Sequence, residues 1–337
     1  MDWFRFIPIV CDVNKETVEG ERFSKSESVM ENGETTFDGL YNPHHEKVYR
    51  TVFGPYIRHN GVVYADCDYN YNKAITRLTT IAGADLAEES KMKINQEKFY
   101  KNNHILEDYI GQVRNRFILL TDSLDCYQQF EEYVYAPHPK KRARVAAFTR
   151  LLSDTGTRHH TFVNVVQGKM KLAEWAKPNK YPRLINDFTV VGSLLGGFVS
   201  KLIKTAMEGR INLNGASCFF VTPDNDNLKQ AFEYIWANDN EPRCIYYSDD
   251  SVIAYDGRVY NTDISSCDRS NHQCVFDKVC EIVPSSEFRE YLLRTVDQCR
   301  LPLTMKREKN GKPVRVTLRP TECVVYSGTV LTTLINN

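Results

Sequence analysis

The sequence predicts an α+β protein, with a largely helical first part followed by a sheet that carries helices on its surface. Three observations carry this expectation. Apolar residues recur at helical spacing between about 70 and 135, where Ile105, Tyr109, Ile110, Val113, Phe117 and Leu120 share one stripe. Short β-like runs begin near 244, at 244–247, 251–255 and 259–264. Two dipeptides, Asp256-Gly257 and Asn310-Gly311, each separate a pair of such runs, which is the pattern of a two-residue hairpin turn.

Residues 1–68 are mixed, rich in Tyr, His and turn formers, and show no clear periodicity. The helical stretch gives way to a basic connector, His138-Pro139-Lys140-Lys141-Arg142-Ala143-Arg144, and then to a Gly/His segment from Asp154 to His160. Apolar patterning predicts helices over about 193–208 and 228–237. Two more are expected over 272–282 and 286–298, the second started by Pro284 and Ser285. The Asn310-Gly311 turn joins strands 303–306 and 314–318. A short strand at 323–326, a Ser-Gly turn and a helix that begins as the sequence stops come after it. No internal repeat or low-complexity tract interrupts the chain.

With 337 residues, 42% of them hydrophobic and 12% aromatic, the chain has the material for about two domains. No run of ~18 apolar residues marks a transmembrane segment. The start, Met1-Asp2-Trp3-Phe4-Arg5, lacks the basic region and cleavage site of a signal peptide. The ten cysteines contain no CxxC pair, so they read as reduced, buried thiols of a cytosolic protein. Cys267, Cys274 and Cys280, with His272 among them, do not have zinc-site spacing. Lys plus Arg equals Asp plus Glu, 43 each. Such a balance excludes wholesale coating of nucleic acid but leaves room for a local basic groove. Gly192 to Gly197 has roughly the spacing of a P-loop, but no Gly-Lys-Ser/Thr follows.

The most informative geometry comes from Asp256-Gly257. A two-residue turn there pairs Tyr255 with Arg258 and, continuing outward, Ala254 with Val259, Ile253 with Tyr260, Val252 with Asn261 and Ser251 with Thr262. Asp250 then lies opposite Asp263. Directly opposed carboxylates sit about 5 Å apart at Cβ and repel one another, which a fold tolerates best with a cation between them. Hard oxygen ligands favour Mg²⁺ or Mn²⁺. Asp249 adds a third carboxylate beside the pair, and the structural alternative is a plain polar turn.

A second aspartate, Asp268, follows Asp263 after four residues. Ser327-Gly328 opens a segment in which Thr332 and Asn336 fall at i, i+4 spacing on one helix face. These segments resemble the palm motifs of RNA-dependent RNA polymerases of positive-strand RNA viruses, of tombus- and noda-like type. Asp263 and Asp268 match the D-x4-D of motif A. Ser327, Gly328, Thr332 and Asn336 match SGxxxTxxxN of motif B without a gap. Tyr247-Ser248-Asp249-Asp250 is similar to motif C, with Ser where many members have Gly. Upstream, Lys169, Lys171, Glu174, Lys177, Lys180 and Arg183 resemble motif F.

The resemblance covers about residues 160–337. It implies a right-hand polymerase fold with helical fingers over 1–240 and a truncated antiparallel-sheet palm over 241–337, the chain being a fragment that stops before the thumb. It further implies a viral RNA-directed RNA polymerase that transfers nucleotides from nucleoside triphosphates to an RNA 3′ end by two-metal chemistry. Asp249, Asp250 and Asp263 would be catalytic and hold Mg²⁺ or Mn²⁺. Asp268 and Asn336 would sense the ribose 2′-hydroxyl. Ser327, Gly328 and Thr332 would shape the loop under template and nucleotide, and Lys177, Lys180 and Arg183 would clamp the triphosphate. Implied partners are template and nascent RNA and other viral replication proteins, in the host cell cytoplasm.

The motifs depart from the usual A, B, C order, since the motif C candidate precedes motif A. Either the palm is permuted to C–A–B, as in birnavirus-type and permutotetravirus-type enzymes, or the chain is a truncated ordinary polymerase in which Ser248-Asp249-Asp250 is only a turn and the true motif C lies beyond Asn337. The hairpin register favours permutation. Two other classes remain open. A metal-dependent nuclease or phosphohydrolase would use the same carboxylates but leave SGxxxTxxxN unexplained. A non-catalytic RNA-binding protein could retain a polymerase fold.

Overall fold

The computed structural model describes residues 23–29, 47–51, 54–58, 74–75, 77–79, 85–153, 166–170, 183–220, 225–236, 242–247, 250–255, 258–264, 266–284, 286–309 and 312–337. The architecture is mixed α+β. In chain order the strands β1 (Phe23–Val29), β2 (Lys47–Thr51) and β3 (Gly54–Arg58) come first. Four helices follow: α1 (Leu86–Asn102), α2 (His104–Thr121), α3 (Cys126–Tyr135) and α4 (Lys141–Ser153). Next are β4 (Val166–Met170), β5 (Leu184–Asp187), α5 (Val190–Met207), β6 (Gly209–Leu213), β7 (Ala216–Phe220) and α6 (Asn225–Trp236). The last part contains β8 (Arg243–Tyr247), β9 (Asp250–Tyr255), β10 (Arg258–Asp263), α7 (Cys267–Ser270), α8 (Gln273–Ile282) and α9 (Glu287–Gln298). It closes with β11 (Leu303–Lys309), β12 (Lys312–Pro320) and α10 (Thr332–Asn336).

Local chemistry sets several helix boundaries. Asp85 caps α1 by accepting from the Glu88 N–H, and Asp125 caps α3 by accepting from Gln128. Asn103 ends α1 and caps α2, its side chain accepting from Ile105 and Leu106. The stripe read from the sequence is the buried face of α2: Tyr109, Ile110, Val113 and Phe117 are buried, whereas Leu120 in the last turn is 40% exposed. The basic connector at 138–144 remains a turn only to Lys140, and from Lys141 it is the start of α4, whose Ala147, Phe148 and Leu151 are buried. The glycines at 192 and 197 lie inside α5, so no phosphate loop forms there. By length and composition α5 is the one helix among the described residues that could cross a membrane, yet 61% of it is buried inside the protein.

Two five-stranded sheets organise the rest. One has the order β1-β12-β11-β4-β5 and the other β10-β9-β8-β7-β6. The second departs from the expected antiparallel palm sheet, because β7 and β8 run parallel. A parallel pair needs a crossover connection, and α6 supplies it. The expected domain boundary near 240 falls between these two paired strands. The first sheet likewise joins strands from both sides of that boundary.

A large core unites α2–α5, α8 and α9 with Ile211, Cys218, Phe220 and Cys244 of the second sheet. A smaller one lies on the first sheet around Leu303, Met305, Val316, Leu318 and Tyr326. Residues 323–326 were expected to form a strand and do not. They thread between the two cores, with Cys323 and Val325 in the larger and Val324 and Tyr326 in the smaller. The alternation belongs to an extended chain, but with a core on each side it pairs with no strand. Of the expected buried thiols, Cys267 and Cys280 are buried and Cys274 is half-buried. Burial pushes Cys280 up to about 11.

Helix α1 looks dispensable, being polar on nearly every side, yet it braces the start of α7. Glu89 pairs with the buried Arg269 at 3.1 Å, and Arg269 also donates to the Thr79 carbonyl at 2.6 Å. Burial lowers the Arg269 guanidinium from its ordinary value, and the Glu89 carboxylate opposes that shift. Removing one member of a buried pair leaves a desolvated charge. Glu89→Ala is therefore expected to cost about 3–5 kcal/mol, read from denaturant unfolding.

Candidate active site

The hairpin register read from Asp256-Gly257 is the one observed. Arg258 pairs with Tyr255, and the ladder runs residue by residue to Asp263 opposite Asp250. Asp263 is exposed at the end of β10, the edge strand of its sheet. Asp249, Lys177 and Lys180 lie outside the described residues. An exposed carboxylate on an edge strand with a second aspartate opposite it in the ladder suits a hydrated divalent ion, since Mg²⁺ commonly takes only one or two protein carboxylates and completes its shell with water and phosphate. Among the described residues no group of three or more potential ligands forms a closed metal cage.

Beyond Asp263 the chain turns sharply. Ser266 adopts a left-handed conformation with φ 55° and starts the one-turn helix α7. Cys267 points into the protein, and Asp268 faces α10. There Asn336 Nδ2 donates to Asp268 Oδ1 at 2.8 Å. Residues 68 positions apart, assigned to one task from the sequence, are thus in direct contact. Asn271 completes the group. Its Nδ2 donates to the Asn336 Oδ1 at 3.2 Å and to the Cys267 carbonyl at 2.9 Å.

The Ser-Gly turn is held from two sides. Its own chain closes it, with the Thr329 N–H donating to the Tyr326 carbonyl at 2.9 Å and the Thr332 hydroxyl donating to the same carbonyl at 3.4 Å. Tyr326 itself is fully buried and donates its hydroxyl to the Leu301 carbonyl at 2.7 Å. From the other side, β5 docks against it. The backbone N–H and the side-chain amide of Asn186 both donate to the Ser327 carbonyl, at 3.1 and 3.0 Å. Gly328 has φ +103°, and a Cβ there would stand 2.7 Å from the Asn186 carbonyl oxygen. Only glycine fits this close approach without strain. Arg183, exposed and three residues before Asn186, is carried to the neighbourhood of the turn by the same strand.

The structure therefore brings together Asp250 with Asp263 in the ladder, Asp268 with Asn336, and Asn186, three residues after Arg183, with Ser327 and Gly328. Sequence reasoning missed Asn186 and Asn271. Neither belongs to a spaced motif, and each acts through contacts with residues more than 60 positions away. Comparison with models of known protein families and with curated proteins finds no match to this chain.

Proposed function

We propose that the chain is an RNA-directed RNA polymerase in which the acidic hairpin and the Ser-Gly segment form the core of the palm. The observation that carries this reading is the Asn336–Asp268 hydrogen bond. It joins the last residue of the SGxxxTxxxN segment to the second aspartate of D-x4-D, two groups that the resemblance assigns to one ribose hydroxyl. The opposition of Asp250 and Asp263 supports the permuted order, because it sets the acidic turn beside the motif A aspartate even though that turn comes first in the chain.

In this reading Asp250 and Asp263, with Asp249, hold Mg²⁺ or Mn²⁺. When bound, such ions lower the pKa of an attacking hydroxyl and neutralise charge on the leaving pyrophosphate. The other residues bind and orient. Asp268 accepts from the 2′-hydroxyl of the incoming nucleotide, and Asn336 donates to it. The Ser327-Gly328 turn lies where template and nucleotide pass, and Thr332 ties it to the first turn of α10. Arg183 meets phosphate oxygens with a planar, bidentate donor set, and Lys177 and Lys180 add point charges.

The test is extension of a primed RNA template by nucleoside triphosphates with Mg²⁺ or Mn²⁺. Asp263→Asn is expected to slow extension on the order of 10³-fold, since metal-held charge stabilisation is worth several kcal/mol. Equal rates for variant and wild type would sink the assignment. Triphosphate-independent RNA degradation by the wild type would replace it with a nuclease.

A further inference from the structure

We infer that Asn271, braced by Gln96 of α1, is a positioning residue that sets the sugar specificity of the site by fixing the direction of the Asn336 amide. This rests on the polymerase reading above.

The inference comes from hydrogen-bond polarity. A main-chain carbonyl and a carboxylate can only accept, whereas a primary amide has a donating and an accepting end. The Cys267 carbonyl and the Asp268 carboxylate stand at the two ends of a chain with two amides between them. One arrangement alone avoids an acceptor facing an acceptor. Asn271 turns its NH₂ to both Cys267 and Asn336; Asn336 then turns its oxygen to Asn271 and its NH₂ to Asp268. One Asn336 N–H is used on Asp268, and the other makes no hydrogen bond among the described residues. That remaining donor is what a ribose 2′-hydroxyl needs beside the Asp268 acceptor.

Asn271 is 7% exposed and is itself held on both flanks. Gln96 Nε2 donates to the Ser270 carbonyl at 3.1 Å, and Gln96 Oε1 accepts from the His272 N–H at 3.0 Å. One side chain thus grips the peptide units before and after Asn271. Two more α1 residues on the same helical face act nearby. Glu89 pairs with Arg269, and Lys93 meets Glu322 at 2.9 Å, which in turn contacts His272 Nδ1 at 3.0 Å. Residues 89, 93 and 96 recur at the spacing of one helix face, so the polar stripe of α1 faces the ribose-sensing group.

Without Asn271 the Asn336 amide keeps only its bond to Asp268, about which it can swivel, so its second N–H is no longer aimed at the incoming sugar. The test is isothermal titration of ATP and of 2′-deoxyATP, with Mg²⁺, into the protein bound to an RNA template presenting uridine whose primer ends in a 3′-deoxynucleotide, so that the nucleotide binds and cannot be added. The wild type is expected to prefer ATP by about tenfold, the value of a hydrogen bond to a charged group. In Asn271→Ala and in the equally bulky Asn271→Asp the preference should fall to within about twofold of unity, as in Asn336→Ala. Gln96→Ala should fall between them. The ratio of the two affinities is insensitive to the folded fraction, so a destabilised variant still reports. A space-filling role would leave Asn271→Asp with the wild-type preference, and that result overturns the inference while leaving the polymerase reading intact. A wild type that binds neither nucleotide, or binds both equally, overturns the reading and the inference together.

Discussion

Replacing Asp263 by asparagine is expected to weaken Mn²⁺ binding at least tenfold while leaving the metal-free protein as stable as before, or slightly more so. Both halves follow from Asp250 standing opposite Asp263 in the β9–β10 ladder. Like charges directly opposed across a sheet destabilise it by a few tenths of a kcal/mol to about 1 kcal/mol, a cost that the neutral amide removes. The same carboxylate in contact with a divalent ion contributes about 2–4 kcal/mol even in a water-like dielectric, so its loss dominates once metal is present. Asp250→Asn is expected to behave in the same way, and the double variant should bind more weakly than either single one if the two residues share an ion. Electron paramagnetic resonance of free Mn²⁺ measures the affinity, and denaturation in chelator measures the stability. Normal Mn²⁺ affinity in Asp250→Asn, beside a loss in Asp263→Asn, would make the acidic turn structural and remove the support for a permuted palm.

The second large effect is expected at the Ser-Gly turn. Gly328→Ala must hold a side chain at φ +103° and place its Cβ 2.7 Å from the Asn186 carbonyl oxygen. Strain of this kind costs about 1–3 kcal/mol, and the obstacle is backbone, which cannot swing aside. Relief comes from separating the turn from β5, which breaks the two hydrogen bonds from Asn186 to the Ser327 carbonyl. Because α10 begins four residues later, the shift passes to Thr332 and Asn336. Nucleotide addition should therefore fall more steeply than stability, by about a hundredfold or more against a melting change of about 1–3 kcal/mol. Gly209→Ala is the control: it has φ +90° but open space around the new Cβ, and should cost strain alone. Parallel losses of stability and rate in the two variants would show that the contact with Asn186 is unimportant.

What was legible in the sequence was legible where a local signal determined a non-local contact. Asp256-Gly257 flanked by β-like runs specified the whole β9–β10 register, and with it the facing aspartates. The fixed spacing of Ser327, Gly328, Thr332 and Asn336 selected the segment that reaches Asp268. The same kind of signal, Asn214-Gly215, went unread although it turns β6 into β7, with both residues at positive φ. The strand β1 could not be seen, because Phe-Ser-Lys-Ser-Glu-Ser-Val has few apolar residues and owes its conformation to β12. Dense positive charge concealed the apolar face of α4. The polar contacts of Gln96, Asn186 and Asn271 left no trace, since an amide carries no period and finds its partners only after the chain has folded.

The pairing of Phe23 with Pro320 also sets a timetable for the newborn protein. The hairpin that holds the aspartates closes between neighbours and can form as soon as it leaves the ribosome, within microseconds. The partner of β1 is made about 300 residues after it, so at ~5–20 residues per second β1 waits roughly 15 to 60 s before its sheet can be completed. The segment with Ser327 and Asn336 is made later still. If the proposed roles hold, Asp250 and Asp263 thus emerge before Asn336, and a ribosome-bound intermediate should hold divalent ions before it can select a nucleotide.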